Sequence, residues 1–261
     1  MESALDFWTA KAQLDWQVEM GVDEAIGDTP LDRYALEDKA PVTRAAAPEN
    51  TPAQANPAPV EEVDAVAVAR AAAQAASDLD GLRAAMAAFE HCPLKAAARH
   101  LIFADGVPGS RVMILTDAPD RNEDRAGRLF AGPSGVLLDK MLGAIGLGRS
   151  GDDAVYAAPV LPWNPPQNRE PNAAEMAMML PFLERHVDLA APDVLVLMGN
   201  GPCQALLKKT GMTRLRGRWT EACGLPALPI FPPAHLLTNP AAKRDAWADL
   251  LALKAHLRKG P

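Results

Sequence analysis

Short apolar runs alternate with helical patterns along most of this 261-residue chain. The strand-like runs are residues 111–115, 154–160, 194–198 and 228–231. Helical patterns lie between and after them, at residues 134–146, 173–188, 201–210 and 240–257. Strands that alternate with helices favour a parallel sheet with helices on both faces. The sequence therefore predicts an α/β fold, a three-layer α/β/α sandwich around a central, mainly parallel four-stranded sheet.

The first 60 residues have a different composition. Residues 1–21 carry a loose apolar stripe that includes Trp8 and Trp16, which predicts a helix that docks on something. We favour docking on the body of the protein over docking on a protein partner. Residues 40–60 are rich in Ala and Pro, as linkers are. We therefore expect an N-terminal helical extension at 1–39, a linker at 40–60 and one folded domain at 61–261.

Charge is unevenly distributed along the chain, which has a net charge of −7. Residues 1–64 hold 14 acidic and 4 basic side chains, and the remainder holds 19 acidic and 22 basic ones. The body is therefore mildly basic, which permits nucleic-acid binding without demonstrating it. The sequence has no apolar run of the roughly 18 residues that span a membrane and no signal-peptide pattern at its start. Its three cysteines have no metal-ligand spacing, so we expect reduced thiols in a cytoplasmic protein.

The segment after the first strand-like run concentrates polar chemistry. Residues 116–124 read Thr-Asp-Ala-Pro-Asp-Arg-Asn-Glu-Asp, and residues 127–132 read Gly-Arg-Leu-Phe-Ala-Gly. A strand followed by an acidic turn and a helix places these groups at the carboxyl end of the strand, where open α/β sheets bind ligands. The segment resembles the first motif of the family 4 uracil-DNA glycosylases, roughly Gly-Glu-Ala-Pro-Gly-x-x-Glu-Asp-x-x-Gly-x-Pro-Phe-x-Gly. Asp117 replaces the first Glu of that pattern, and Asp120 replaces the Gly after its Pro.

Three further segments resemble the same family in the same order. They are the loop at residues 164–171, the turn at 215–219 and the block at 233–240, which is followed by Lys243 and Trp247. The resemblance covers residues 79–257. It implies an enzyme of base excision repair that binds DNA, hydrolyses the N-glycosidic bond of uracil without a cofactor and releases uracil.

The resemblance also implies roles for residues of the first motif. Asp117 would orient the attacking water or stabilise the sugar cation, with Asp124 as a second catalytic carboxylate. Phe130 would stack the flipped base. Two alternatives stay open from the residues themselves: Asp117 caps the next helix, and Phe130 belongs to the core. The acidic pair Glu123 and Asp124 is as consistent with a solvated or arginine-paired loop as with catalysis.

The rest of the expected pocket comes from backbone groups and prolines. The N–H groups of Ala118 and Asp120 would reach uracil oxygens because Pro119 fixes the turn. Pro159 aligns with the family's uracil-reading Asn and Pro232 with its His, and proline supplies no hydrogen-bond donor. His235 is expected to replace the missing donor, with a helix cap as the alternative. Gly132 and Pro233 are expected to line the pocket as well.

Members of this family usually hold an iron–sulfur cluster on four cysteines. Only Cys92 stands at such a position here, and Lys95, Trp163 and Met179 occupy the other three. One thiolate cannot hold such a cluster. We therefore predict that no cluster is bound and that Trp163 and Met179 fill the space as apolar packing. The histidines show no metal-ligand spacing either.

Basic side chains near the third segment are candidates for contacts with DNA phosphates. The expected contacts are Arg169, Arg214, Arg216 and Arg218. A solvated face is the alternative for such a cluster. Two further functions stay open because the Asn and His are missing. One is an inactive module of the same fold that binds DNA or a repair partner through residues 1–21, and the other is a glycosylase with altered base choice.

Overall fold

A computed structural model describes residues 64–258 of the protein, together with the helical positions Lys11 and Trp16. The chain divides into two units, residues 1–60 and 61–261. Apart from Lys11 and Trp16, the extension predicted at 1–39 and the linker predicted at 40–60 lie outside the described residues.

The described part of the second unit alternates helices and strands, as the sequence predicts. The helices are α1 (Ala65–Ala75), α2 (Leu79–Ala88), α3 (Leu94–Ala97), α4 (Arg121–Ala126), α5 (Pro133–Ile145), α6 (Ala173–Ala190), α7 (Asn200–Pro202), α8 (Met212–Leu215), α9 (Pro233–Thr238) and α10 (Lys243–Leu257). The strands are β1 (Asp105–Gly106), β2 (Val112–Thr116), β3 (Val155–Pro159), β4 (Val194–Met198), β5 (Thr220–Ala222) and β6 (Leu225–Ile230). A π-helical turn, Cys203–Leu207, continues α7, and short 3-10 turns occupy Pro166–Asn168 and Pro240–Ala242.

The strands form one sheet in the order β1-β3-β2-β4-β6-β5. The central strands β3, β2, β4 and β6 pair in parallel, which confirms the predicted α/β fold. The outer strands β1 and β5 add antiparallel edges that the sequence analysis does not predict. They have only two and three residues, too few to produce the alternating pattern by which strands are recognised.

The register of the central strands sets the position of the ligand site. Thr116 at the end of β2 pairs with Pro159 of β3 on one side and with Met198 of β4 on the other. Met198 in turn pairs with Ile230 of β6. The four carboxyl ends therefore finish at one level, and the chain that leaves β2 begins at the middle of that edge.

Burial explains why the central strands are nearly continuous apolar runs. Every residue of β3 and of β4 is buried, because helices cover both faces of the sheet. Within residues 64–258, no helix is long and apolar enough to cross a membrane.

Candidate active site

Asp117, the first residue after β2, lines a cavity at the carboxyl edge of the sheet. The cavity measures about 470 Å³. Its walls come from the turn 118–120, from the loop that follows β3 and from the start of α7. The side chains and backbone that line it include Val160, Asn168, Arg169, Glu170, Asn200 and Gln204.

The carboxylate of Asp117 is held against the turn between β4 and α7. The N–H of Gly201 donates to Oδ1 of Asp117 at 2.7 Å. A Cβ on Gly201 would lie 2.7 Å from the same oxygen, and one on Gly199 would overlap the carboxylate. The sequence Gly199-Asn200-Gly201 therefore leaves the space that Asp117 occupies.

Burial controls the ionisation of Asp117. Desolvation raises the pKa of its carboxyl from 3.8 to about 6, the N–H of Gly201 opposes the rise, and the charge of Glu170 adds to it. The group is therefore mostly ionised at neutral pH. The alternative that Asp117 caps the next helix is wrong, because Asp120 is the cap of α4.

The rest of the first motif is fixed by a reciprocal helix cap. Oδ1 of Asp120 accepts from the N–H groups of Asn122 and Glu123. Glu123 returns the contact, since its Oε2 accepts from the N–H of Asp120 at 2.9 Å and its Oε1 accepts from the N–H of Phe130 at 2.6 Å. The N–H of Asp120 is therefore bound to Glu123, contrary to the expectation that it faces uracil. Ala118 remains the predicted backbone donor.

Asp124 forms hydrogen bonds that hold the fold and does not line the cavity. Its side chain is 7% exposed, and Oδ1 accepts from the N–H groups of Arg99 and His100 at 2.9 and 3.2 Å. These bonds tie α4 to the segment after α3. Neither Asp124 nor these two partners line the Asp117 cavity, so the geometry does not support its expected catalytic role.

Phe130 and Gly132 line a second, neighbouring cleft of about 710 Å³. Phe130 has a positive φ of 52°, and its ring lies 6.0 Å from the guanidinium of Arg149. Its side chain is buried, with 5% of the residue exposed. The structure thus does not bring Phe130 and Asp117 into one cavity, because the bond to Glu123 and the positive φ hold Phe130 beside α5.

The prolines and His235 also lie outside the lining of the Asp117 cavity. Pro159 is buried at the end of β3, and Pro232 and Pro233 form the start of α9. The ring of His235 stacks on Phe231 with the ring centroids 4.6 Å apart. The expected replacement of the missing donor by His235 is therefore not supported by the geometry.

Two of the four arginines expected at DNA are held in ion pairs. Arg169 donates from Nη1 and Nη2 to the buried carboxylate of Glu175 at 2.9 and 2.5 Å. Arg216 donates from Nε and Nη2 to the two carboxylate oxygens of Asp249. Each ion pair gives its arginine a structural contact, and the contacts of Arg169 and Arg216 with DNA stay predictions.

The other two arginines remain consistent with a contact to DNA. Arg214 and Arg218 are exposed, and neither forms an ion pair within the described part of the chain.

Asn200 is a site residue that the sequence analysis missed. Its Oδ1 accepts from the N–H groups of Gly211 and Met212 at 3.2 and 3.3 Å, and no described residue accepts from its Nδ2. Asn200 lines the Asp117 cavity, so its amino group is a candidate donor there. Asn200 could have been predicted from its position in the turn after the buried β4, because ligands bind beyond the carboxyl ends of such strands.

The residues at the cluster positions do not fit an iron–sulfur cluster. Cys92, Trp163 and Met179 are at most 2% exposed and belong to the hydrophobic core. Lys95 donates to the carbonyl of Ala87 and pairs with Glu90. One thiol among these neighbours cannot replace four thiolates. Among the residues that the structure describes, no group of three or more His, Cys, Asp or Glu is placed to hold a metal ion.

We expect the purified protein to contain far less than one iron per chain and to show no visible absorption band. Its melting temperature is expected to be the same with and without a chelator, because the packing of Trp163 and Met179 needs no metal. Elemental analysis of protein from iron-replete cells checks this prediction. Stoichiometric iron, with a melting temperature that falls on chelation, would contradict it.

The fold and the cavity define a class of protein. It is a three-layer α/β protein whose cavity at the carboxyl edge of the sheet contains a partly buried carboxylate. A sequence model described as the uracil DNA glycosylase superfamily matches residues 103–251. The chain therefore belongs to the uracil-DNA glycosylase superfamily.

The proteins similar to this chain include two type-4 uracil-DNA glycosylases. The type-4 uracil-DNA glycosylase of Thermotoga maritima is 30% identical over 173 residues, which cover 64% of this chain and 88% of the relative. That of Sulfurisphaera tokodaii is 29% identical over 186 residues, 67% of this chain and 83% of the relative. A DNA polymerase of Bacillus phage SP01 is 27% identical over 155 residues, which are 16% of the polymerase.

Proposed function

We propose that this protein excises uracil from DNA by hydrolysing the N-glycosidic bond, as a step of DNA repair. Its family and its similarity to type-4 uracil-DNA glycosylases support the reaction. The observation that carries the proposal is the position of Asp117, a partly buried, desolvated carboxylate at the wall of a cavity beyond the central strand. The cavity volume of about 470 Å³ lies within the range of roughly 300–1,000 Å³ that is usual for small-molecule sites.

The proposed reaction needs the uracil outside the base stack, in the Asp117 cavity. The bond between C1′ and N1 breaks, its electron pair leaves with uracil, and the sugar gains oxocarbenium character. The ionised carboxylate of Asp117 stabilises that cation and orients the water whose oxygen bonds to C1′. That water loses one proton to the carboxylate, which then releases the proton to solvent. The N–H of Ala118 and Nδ2 of Asn200 supply donors for the departing uracil anion, because preorganised donors stabilise charge that develops in the transition state.

The pH dependence of activity follows from the pKa of Asp117. Desolvation raises that pKa to about 6, and the ionised form is the active one. We expect kcat/KM to rise about tenfold per pH unit below that value and to level off above it. Steady-state kinetics between acidic and neutral pH measure this profile. A rate that is flat, or that falls with rising pH through this range, would contradict the role of Asp117.

A glycosylase with a different base choice is the second candidate. Pro159 favours it, because this buried proline aligns with the family's uracil-reading Asn and offers no amide pair. An assay of oligonucleotides that each carry one of several deaminated bases separates the two. Excision of uracil in preference to the others supports the first candidate, and the reverse order supports the second.

Strand cleavage at alkali-labile sites tests the proposed function. Purified protein is incubated with a single- or double-stranded oligonucleotide that contains one uracil, and with the matched thymine oligonucleotide. Cleavage of the uracil substrate alone is expected. DNA binding without cleavage at enzyme excess would show an inactive recognition module instead.

A further inference from the structure

We propose that the cleft beside Phe130 binds the phosphodiester backbone of the DNA strand that carries the excised base. This cationic cleft is lined by Arg128, Phe130, Lys140, Arg149 and Lys243. The inference rests on the proposed function, since it assumes that DNA is the substrate. These contacts are distinct from those predicted at Arg169, Arg214, Arg216 and Arg218.

The cleft has an excess of positive charge that no protein group neutralises. Arg149 is satisfied, because its Nε and Nη2 donate to Asp139 at 2.6 and 2.8 Å and its Nη1 donates to Asp105 at 2.6 Å. The remaining three cations, Arg128, Lys140 and Lys243, are exposed, and none has an ion pair within the described residues. The four cations, less the carboxylates of Asp139 and Asp105, leave a net charge of about +2 on the cleft. Such an excess of positive charge attracts phosphates.

Apolar groups lie among these cations. Val136 and Leu237 also line the cleft and are 57% and 43% exposed, and the covered ring of Phe130 forms part of its wall. Grooves that bind nucleic-acid strands combine cations for the backbone with apolar and aromatic surface for sugars and bases. A nucleotide chain fits this combination better than a small anion, which would need the charges alone.

The cationic cleft is also fixed relative to the Asp117 cavity. One carboxylate, that of Glu123, accepts from the N–H of Asp120 at the cavity and from the N–H of Phe130 at the cleft. A strand whose backbone lies in the cleft is therefore held at a constant offset from the cavity that receives the base. Arg169 and Arg216, in contrast, are each neutralised by an ion pair, with Glu175 and with Asp249.

Salt dependence of DNA binding tests this inference. A triple variant, Arg128→Gln with Lys140→Gln and Lys243→Gln, removes the free cations of the cleft. The matched control, Arg70→Gln with Arg83→Gln and Arg258→Gln, removes three exposed cations that line neither the Asp117 cavity nor the cationic cleft. Fluorescence anisotropy with a uracil-free duplex gives the dissociation constant at several salt concentrations.

The slope of log affinity against log salt is expected to fall by about 2 to 3 in the cleft variant, since each lost phosphate contact removes roughly 0.9. A change of less than about 1 is expected in the control variant. An unchanged slope in the cleft variant, with its melting temperature preserved, would overturn the inference, as would an equal loss in the control.

This test is separate from the test of catalysis. Binding to uracil-free DNA requires no bond cleavage, so the result can be interpreted even if the parent protein excises no uracil. If uracil excision is found while the cleft variant binds DNA like the parent, the proposed function stands and the inference about the cleft fails.

Discussion

Replacing Asp117 by Asn is expected to lower the rate of uracil excision by at least about 100-fold, the lower range for loss of a catalytic acid–base group. Asparagine keeps the size of the side chain and an oxygen that accepts from the N–H of Gly201. It lacks the negative charge that stabilises the sugar cation. Single-turnover rate constants on a uracil-containing oligonucleotide measure the loss.

Stability and a second variant serve as controls for this loss. The pKa of Asp117 is raised in the fold to about 6, so its ionised form opposes folding above that pH. The melting temperature of Asp117→Asn at pH above 7 is therefore expected to equal or exceed that of the parent.

Glu170→Gln removes another carboxylate from the lining of the same cavity and is expected to keep the rate within about threefold, since Glu170 is exposed and solvent screens its charge. Equal losses in both variants, or none in Asp117→Asn, would contradict the assigned role.

Replacing Arg216 by Ala is expected to reduce the free energy of unfolding by about 3 kcal/mol or more. The carboxylate of Asp249, whose residue is 2% exposed, would lose its cation. Burial raises the pKa of Asp249, and Arg216 opposes that rise. Arg216 also donates from Nη2 to the carbonyl of Asp245 at 2.7 Å, so α10 would lose a second attachment. Urea denaturation, monitored by circular dichroism, gives the free energy.

Arg218→Ala is the matched control for this prediction. Arg218 is exposed and has no ion pair in the part of the chain that the structure describes, so its loss is expected to change stability by less than about 0.5 kcal/mol. The double variant Arg216→Ala with Asp249→Ala should cost less than the sum of its single variants, because no charge is left buried and unpaired. A stable Arg216→Ala variant with weakened DNA binding would instead support the predicted contact of Arg216 with DNA.

The sequence predicts the fold because burial leaves a direct pattern in it. The run at β4 is apolar throughout since helices cover both faces of the sheet, and the same holds for β3. The position of Asp117 is equally predictable, because the residue after a central parallel strand must lie at the carboxyl edge. The short edge strands, in which two or three residues pair, leave no such pattern.

Pairing between distant residues is what the sequence could not predict. Arg216 lies 33 residues from Asp249, and no local pattern shows that this arginine is bound to a carboxylate instead of exposed to DNA. Phe130 presents the same difficulty, since its position depends on one hydrogen bond to Glu123 and on a positive φ. The cationic cleft likewise combines α5 with the first residue of α10, which only the tertiary fold brings together.

Direct measurement of released uracil tests the central claim. The parent protein and the Asp117→Asn variant are each incubated, in excess, with a duplex that contains one uracil, and the free base is quantified by chromatography. The account predicts that the parent releases the uracil in full while the variant releases almost none in the same time. Release by neither protein, or equal release by both, would contradict excision by a mechanism that depends on Asp117.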